Sequence, residues 1–216
     1  MRKISFYVFL AAFFNFYASA QAFDFQAIDS PRNYIKGKFY NSVKDHFLVA
    51  TEKMRDSRFK NTVIIMLGND EKGAWGLVIN KPLGSIPLSS LIHESEEVTS
   101  EKKELYNTEI PIFWGGPVNK NAILILHSEE YKSESTRNYK NISVSSDYNT
   151  LFEIADKKGP KESLVILGIS SWGSGQLEGE MQREDWALSD INADLIFETD
   201  NNKKWLDAIS NSFIRL

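Results

Sequence analysis

The sequence predicts one α+β domain built around a mixed β-sheet. Short apolar runs, several of them rich in β-branched residues, indicate strands at 46–51, 61–67, 74–80, 111–114, 122–127 and 164–167. Stretches at 147–157 and 202–210 have apolar residues at helical spacing and supply the α component. No repeat or low-complexity linker divides the chain, and its 216 residues suit a single domain.

The first twenty residues have the pattern of a secretory signal peptide. Arg2 and Lys3 precede an almost wholly apolar run at 4–17, and Ala18-Ser19-Ala20 satisfies the small-x-small cleavage rule. We therefore expect cleavage before Gln21 and export to the periplasm. The alternative is an uncleaved N-terminal membrane anchor, although the run is shorter than the roughly 20 residues of a spanning helix. No other stretch approaches that length, so we expect no stable membrane span after cleavage.

The first half of the mature chain is predicted to be mainly β. Residues 21–45 are mixed and polar, which predicts an irregular lead-in to a domain at 46–216. A polar, glycine-containing segment separates the predicted strands at 61–67 and 74–80, so these strands should form an antiparallel hairpin that Pro82 closes. The charged segment 94–104 and the polar segment 128–141 are expected at the surface.

The second half of the mature chain is predicted to alternate helices with strands. Ser146-Asp147 offers an N-cap for a helix that Gly159-Pro160 ends. The strand at 164–167 should end in Gly168, followed by a glycine-rich turn at 171–175 and a helix at 176–184. A short strand at 195–197 and a last helix at 202–210 complete the prediction.

Composition excludes several kinds of chemistry. The chain has no cysteine, which excludes disulfides, Cys-ligated zinc, iron–sulfur clusters and thiol catalysis. Its net charge is -4 and becomes about -6 once the basic signal segment is removed, so nucleic acid is not expected as a partner. The three histidines lack metal-site spacing, and we predict neither a metal nor a cofactor.

The glycine-rich segment 168–175 is the strongest local motif. A strand followed by such a turn and a helix can hold an anion on backbone N–H groups. The phosphate-loop and dinucleotide fingerprints both fail, because no lysine follows Gly173 and Glu178 stands where the third glycine is needed. The nucleophile elbow fails as well, since Trp172 occupies a required glycine position. A hydrolase with Ser170 or Ser171 as nucleophile and His127 as base stays open as an alternative.

Three glycine-containing segments together resemble the YqgE/AlgH family of bacterial proteins. They are residues 73–82, residues 113–118 with Leu126-His127 downstream, and residues 172–180. The resemblance continues through Trp186 and Trp205 and covers most of the mature chain. It implies a single α+β domain with a bulged mixed β-sheet curled toward a barrel and flanked by helices. The family's biochemical activity is not established; one branch is named for an effect on alginate production and is often labelled a transcriptional regulator.

This chain departs from the family pattern at three places. Members usually carry Met where this chain has Trp75, and a Tyr-Ala-Gly run where it has Ile169-Ser170-Ser171. Both changes flank the expected site, so a shared ligand could be altered. Most relatives look cytosolic, whereas this chain begins with a signal sequence, and export is incompatible with direct control of transcription.

The leading hypothesis is therefore an exported, non-catalytic binding or accessory domain. Its expected partner is a small polar or anionic ligand, or another protein. The expected surface is rich in glycine and tryptophan, which together offer backbone N–H donors and indole rings. Its candidate residues are Gly115, Gly116, Pro117, His127, Trp172, Gly173, Gly175, Gln176 and Glu178. The Ser–His hydrolase and the transcriptional regulator stand as alternatives.

Overall fold

A curled, bulged sheet of ten strands, shaped as a half-barrel, organises the part of the chain that the computed structural model describes, residues 43–92 and 99–212. The strands are β1 (His46–Ala50), β2 (Val63–Asp70), β3 (Gly73–Val78), β4 (Pro82–Pro87), β5 (Glu109–Trp114), β6 (Val118–Ser128), β7 (Arg137–Tyr139), β8 (Ile142–Ser145), β9 (Ser163–Gly173) and β10 (Trp186–Asp190). The helices are α1 (Ser100–Lys103), α2 (Tyr148–Ala155), α3 (Gln176–Gln182), α4 (Ala193–Phe197) and α5 (Lys204–Ser210). The predicted α+β class is confirmed.

Strand β9 is the centre of the sheet. The main path runs β10-β1-β2-β3-β9-β6-β8-β7, and β4 joins through β5. The first half of β9 pairs antiparallel with β6 and parallel with β5, so the sheet is mixed as predicted. Beyond Gly168, β9 exchanges β5 for β3 and pairs with it from Ser170 to Gly173. This exchange carries the end of β9 to a different part of the molecule.

Strands β1 and β2 are apolar at 47–50 and 63–67 because both of their faces are covered there. Phe47 and Val49 belong to the core cluster that packs against α4 and α5, whereas Leu48 and Ala50 belong to the cluster beneath α3. The side chains of a strand alternate between two faces, so two buried faces produce an uninterrupted apolar run. The predicted hairpin is confirmed by the antiparallel pairing of β2 with β3.

Helix α2 forms as its cap predicts. The Asp147 side chain accepts a hydrogen bond from the backbone N–H of Thr150 at 2.9 Å, which satisfies a donor of the first turn. Leu151 and Phe152 then pack into a third apolar cluster with β5 and β9. The last helix is also confirmed, with Ala208 buried against the sheet.

Four strands carried no apolar run and were not predicted. Strand β4 is an exposed edge strand with a proline at each end, so it has no buried face to produce a pattern. Strand β8 alternates apolar residues with Ser143 and Ser145, whose buried hydroxyls are hydrogen-bonded. Strands β7 and β10 are the other two strands that were not predicted. Strand β7 lies within the segment 128–141, which was expected to be an exposed polar segment.

The strand predicted at 195–197 is wrong, because these residues form helix α4. Asn192 caps the helix by accepting from the N–H of Asp194 at 2.9 Å. Leu195 and Ile196 then enter the core beside α5. Three consecutive apolar residues are too few to distinguish a helical from a strand period.

Several expectations fall on residues outside the described ranges. These are the signal segment 1–20, most of the lead-in to residue 45 and the first five residues, 94–98, of the charged segment 94–104. Among the helices of the described ranges, none is both long enough and apolar enough to span a bilayer.

Candidate functional site

Gly115 and Gly116 lie inside the molecule, where they hold two chain segments in close contact. A Cβ on Gly116, whose φ is +149°, would lie 2.3 Å from backbone atoms of Ile169 and Ser170. A Cβ on Gly115 would lie 2.2 Å from the carbonyl oxygen of Gly168. The Gly115 N–H already donates to the Leu167 carbonyl at 2.8 Å. These glycines therefore form the packed support of a site rather than its open surface.

His127 lies far from the glycine-rich segment. It is fully buried opposite Ser163, at the start of β9. Its Nδ1 lies 2.8 Å from the Ser128 carbonyl oxygen and its Nε2 lies 2.9 Å from the Ser145 hydroxyl. Burial lowers the pKa of His127 below 6.5, so the neutral ring donates from Nδ1 to the carbonyl and accepts at Nε2.

The structure does not bring His127 together with either candidate nucleophile. Ser170 is seven residues along β9 from Ser163, the residue opposite His127, which corresponds to roughly 20 Å of strand. The buried Ser170 hydroxyl donates to the Gly115 carbonyl at 2.9 Å. Ser171 is exposed at the next position of the strand. The hydrolase hypothesis therefore has no support in this geometry.

The glycine-rich turn is shorter than predicted. Strand β9 does not end at Gly168: this residue adopts a φ of +75° where the strand changes partner, and the strand continues to Gly173. Only Ser174 and Gly175 remain between β9 and α3. The Gly173 N–H donates to the Gln176 side chain at 3.2 Å, so this backbone donor is already satisfied.

A cavity of about 300 Å³ lies beside this shortened turn. We call it the Trp–Glu cavity. Pro117, Trp172 and Gln176 of the predicted surface line this cavity. Gly173, Gly175 and Glu178 do not line it, although they are close in sequence to Trp172 and Gln176. It is lined by Met54, Arg55, Asp56, Arg58, Phe59, Pro117, Ser171, Trp172, Gln176, Glu180, Arg183, Asp185 and Trp186.

A carboxylate held by two indoles forms one wall of the Trp–Glu cavity. Glu180 Oε2 accepts from Trp172 Nε1 and from Trp186 Nε1, each at 2.8 Å. Its Oε1 accepts from Gln176 Nε2 at 3.0 Å. The two indole rings meet edge to face with centroids 5.9 Å apart. Donors from β9, α3 and β10 thus fix a single carboxylate.

The opposite wall comes from the segment between β1 and β2. This segment is tied to the start of β10, because the Thr51 N–H donates to the Asp185 carbonyl at 3.0 Å. Phe59 then packs against Trp186 and against Trp114, with centroid distances of 5.8 and 5.5 Å. The wall is therefore aromatic at its base and charged at its rim.

The rim carries three arginines and two acids. Arg58 donates to both carboxylate oxygens of Asp56 and thereby holds the pKa of that carboxyl below its usual value. Arg183 donates from Nε to Asp185 Oδ2 at 3.1 Å, and its Nη2 forms an ion pair with the same oxygen at 2.9 Å. Arg55 is exposed and lines the same rim. The cavity thus offers aromatic surface together with charges of both signs.

Sequence reasoning missed half of this site. Arg55 and Arg58 lie in a segment without a motif, and the register of β1 with β10 brings this segment to Trp172. The sequence alone suggested a solvated helix surface for Glu180; its spacing from Gln176, one helical turn, between two tryptophans is the signal that could have found it. The described part of the chain contains no group of three or more His, Asp or Glu side chains placed to hold a metal ion.

Comparison with known proteins shows a clear relationship. A family model described as AlgH-like (DUF179) matches residues 47–216. A UPF0301 protein of Methylococcus capsulatus is 34% identical over 171 residues, which are 79% of this chain and 91% of that protein. A UPF0301 protein of Shewanella oneidensis is 33% identical over 168 residues, 77% of this chain and 89% of that protein.

Solved structures show the same fold. The solution structure of the AlgH protein from Pseudomonas aeruginosa superposes with a TM-score of 0.66 at 29% identity, covering 82% of this chain and 92% of that one. A crystal structure of a Corynebacterium diphtheriae protein gives a TM-score of 0.58 at 17% identity, covering 83% and 92% of the two chains. The second likeness concerns the fold alone.

Proposed function

The chain belongs to the AlgH-like family, and we propose that it is a non-catalytic binding domain whose small polar or anionic ligand occupies the Trp–Glu cavity. No activity is established for this uncharacterised family. The observation that carries it is the convergence of two indole N–H groups on one carboxylate in the wall of a solvent-reaching cavity. Concave sites with aromatic walls and a few oriented polar groups are the usual form of small-ligand sites.

The orientation of Glu180 supports binding over a purely structural role. A packed core would satisfy the indole N–H groups with backbone carbonyls, as Trp205 does with Ala50 at 2.7 Å. Here the acceptor is a charged side chain that also lines a cavity. Charge-assisted hydrogen bonds hold it in one orientation, which lowers the entropy cost of placing a ligand against it.

The rim supports a ligand with an anionic group. Arg55 is exposed and lines the cavity without an acidic partner among the described residues, and guanidinium groups bind carboxylate and phosphate through paired N–H donors. Among the described residues that line the cavity there is no histidine, and Ser171 is the one hydroxyl. The three carboxylates of the lining already accept hydrogen bonds from Arg58, Arg183 and the two indoles, which favours binding over proton-transfer chemistry.

A blocking substitution tests the proposal. Thermal unfolding of the purified full-length protein is measured against a panel of metabolites, and a compound at 100 times its Kd should stabilise it by about 2.7 kcal/mol, or several degrees. Ser171→Phe puts a ring at the cavity and should abolish the shift. Ser85→Phe, on the exposed edge strand β4, is the matched control and should retain it. A compound that shifts both variants equally would contradict the proposal.

We also propose that the domain acts outside the cytoplasm. The support is the basic start, the apolar run and the Ala18-Ser19-Ala20 site. Cell fractionation followed by mass measurement of the intact protein should find it in the periplasm, beginning at Gln21. A membrane-bound protein that still begins at Met1 would favour the anchored alternative.

A further inference from the structure

A carboxylate oxygen at the Trp–Glu cavity lacks a donor. Asp185 lines the cavity and is only 3% exposed. Its Oδ2 accepts a hydrogen bond from Arg183 Nε and forms an ion pair with Arg183 Nη2, whereas its buried Oδ1 has no hydrogen-bond partner within the described ranges. Buried carboxylate oxygens are almost always hydrogen-bonded, and an exception at a cavity wall points to a donor brought by a ligand.

One arginine at the same cavity has no acidic partner among the described residues. Arg58 pairs with Asp56 and Arg183 pairs with Asp185. Arg55 is exposed and makes no hydrogen bond or ion pair to any residue that the structure describes. An exposed guanidinium at a cavity mouth can hold an anionic group through two N–H donors.

We infer that the ligand of the Trp–Glu cavity is a zwitterion of the α-amino acid class, an assignment that rests on the proposed function. Its ammonium donates to Asp185 Oδ1, its carboxylate accepts from Arg55, and its side chain lies against the aromatic walls. A simple anion would leave Asp185 Oδ1 without a donor, and a simple cation would face the three arginines of the rim. Only a ligand with both charges complements both groups.

The size and shape of the cavity agree with this ligand class. Its volume of about 300 Å³ is at the lower end of small-molecule sites, which suits a single amino acid better than a nucleotide. The rings of Trp172, Trp186 and Phe59 form apolar walls, so an apolar or aromatic side chain is favoured. Asp185 Oδ1 is covered by its neighbours, so a neighbouring side chain has to move before the ammonium can reach it.

Changing the ligand tests the assignment without changing the protein. Calorimetric titration of the full-length protein with single L-amino acids, including leucine, phenylalanine and tryptophan, should give saturable binding for at least one. N-acetylation of that compound removes the ammonium, and amidation removes the carboxylate. Each change should weaken binding at least tenfold. Equal binding of the N-acetyl derivative, or of the amide, would overturn the assignment.

Changing the protein tests the same two contacts. Asp185→Asn and Arg55→Gln should each weaken binding at least tenfold. The controls Asp190→Asn and Arg137→Gln alter exposed residues away from the cavity and should stay within twofold. Because Asp185 is buried, its variant could unfold, and the ligand derivatives then decide.

The outcomes separate this inference from the proposed function. If no amino acid binds but another compound does, and Ser171→Phe blocks it, the zwitterion assignment is overturned and the binding function stands. If an amino acid binds and Ser171→Phe leaves it bound, the site is wrong and both proposals are overturned. If no compound of either panel binds, both are overturned as well.

Discussion

Replacing Lys204 should change how the stability of the protein depends on pH. Lys204 begins helix α5 and is 2% exposed. Its ammonium lies 3.3 Å from the Ile79 carbonyl oxygen and 5.9 Å from the centre of the Phe113 ring. Burial lowers the pKa of Lys204 from 10.5 to about 8, a shift that the negative charge of Asp200 partly opposes.

The size of the effect follows from the two pKa values. Below pH 8 the lysine is protonated in both the folded and the unfolded chain, and its burial costs about 3 kcal/mol relative to a neutral amine. Between pH 8 and 10.5 the folded protein releases the proton first. The unfolded chain then binds more protons, so the free energy of unfolding rises with pH. From pH 7 to pH 10 this contribution is about 2.5 kcal/mol.

The assay compares three proteins by urea unfolding at pH 7 and pH 10. Lys204→Met removes the charge and should remove this rise, although it also leaves the Ile79 carbonyl without its donor. Lys203→Met, one residue earlier and exposed, is the matched control and should follow the wild type. A constant stability difference between the wild type and Lys204→Met from pH 7 to pH 10 would refute the reasoning.

Three further predictions concern packing, acid sensitivity and the cavity. Gly116→Ala should destabilise by about 3 kcal/mol, because its Cβ would lie 2.3 Å from backbone, whereas Gly173→Ala, with nothing within 4 Å, should change little; thermal unfolding measures both. Burial lowers the pKa of His127, so its contribution to stability is complete above pH 6.5 and is lost as pH falls from that value through the lower pKa of the folded protein. The loss of stability between pH 7 and pH 5, measured by urea unfolding, should be smaller in His127→Gln. Glu180→Ala leaves the indole N–H groups of Trp172 and Trp186 without an acceptor and should lower the free energy of unfolding in urea by about 2–4 kcal/mol. Glu178→Ala, on the same helix, should lower it by under about 1 kcal/mol.

The central strands could be predicted because burial on both faces leaves a strong pattern. Residues 63–67 are all fully or nearly fully buried, and their side chains alternate between two core clusters. Strand β8 could not be predicted, because Ser143 and Ser145 are buried through hydrogen bonds rather than through apolar character. A side chain's partner across the sheet is not visible in its own sequence neighbourhood.

The site was predictable only on the side that carries a motif. Trp172 and Gln176 are adjacent to the glycine-rich segment, and their proximity to Pro117 followed from the family resemblance. Arg55 and Asp185 are brought together by the pairing of β1 with β10, in which Ala50 stands opposite Trp186. Strand β10 has no pattern of its own, so nothing in the sequence indicated this pairing.

The glycine motifs and the cavity are linked through the change of partner in β9. Gly116 lets the chain lie directly against Ile169, and Gly168 takes the left-handed conformation where β9 leaves β5 for β3. This exchange places Trp172 at the cavity wall. The motif therefore marks the support of the candidate site, while the residues proposed to contact a ligand lie beyond it. Substitutions at the glycines should then lower stability and binding together, whereas Arg55→Gln should lower binding alone, since its exposed side chain contributes little to stability.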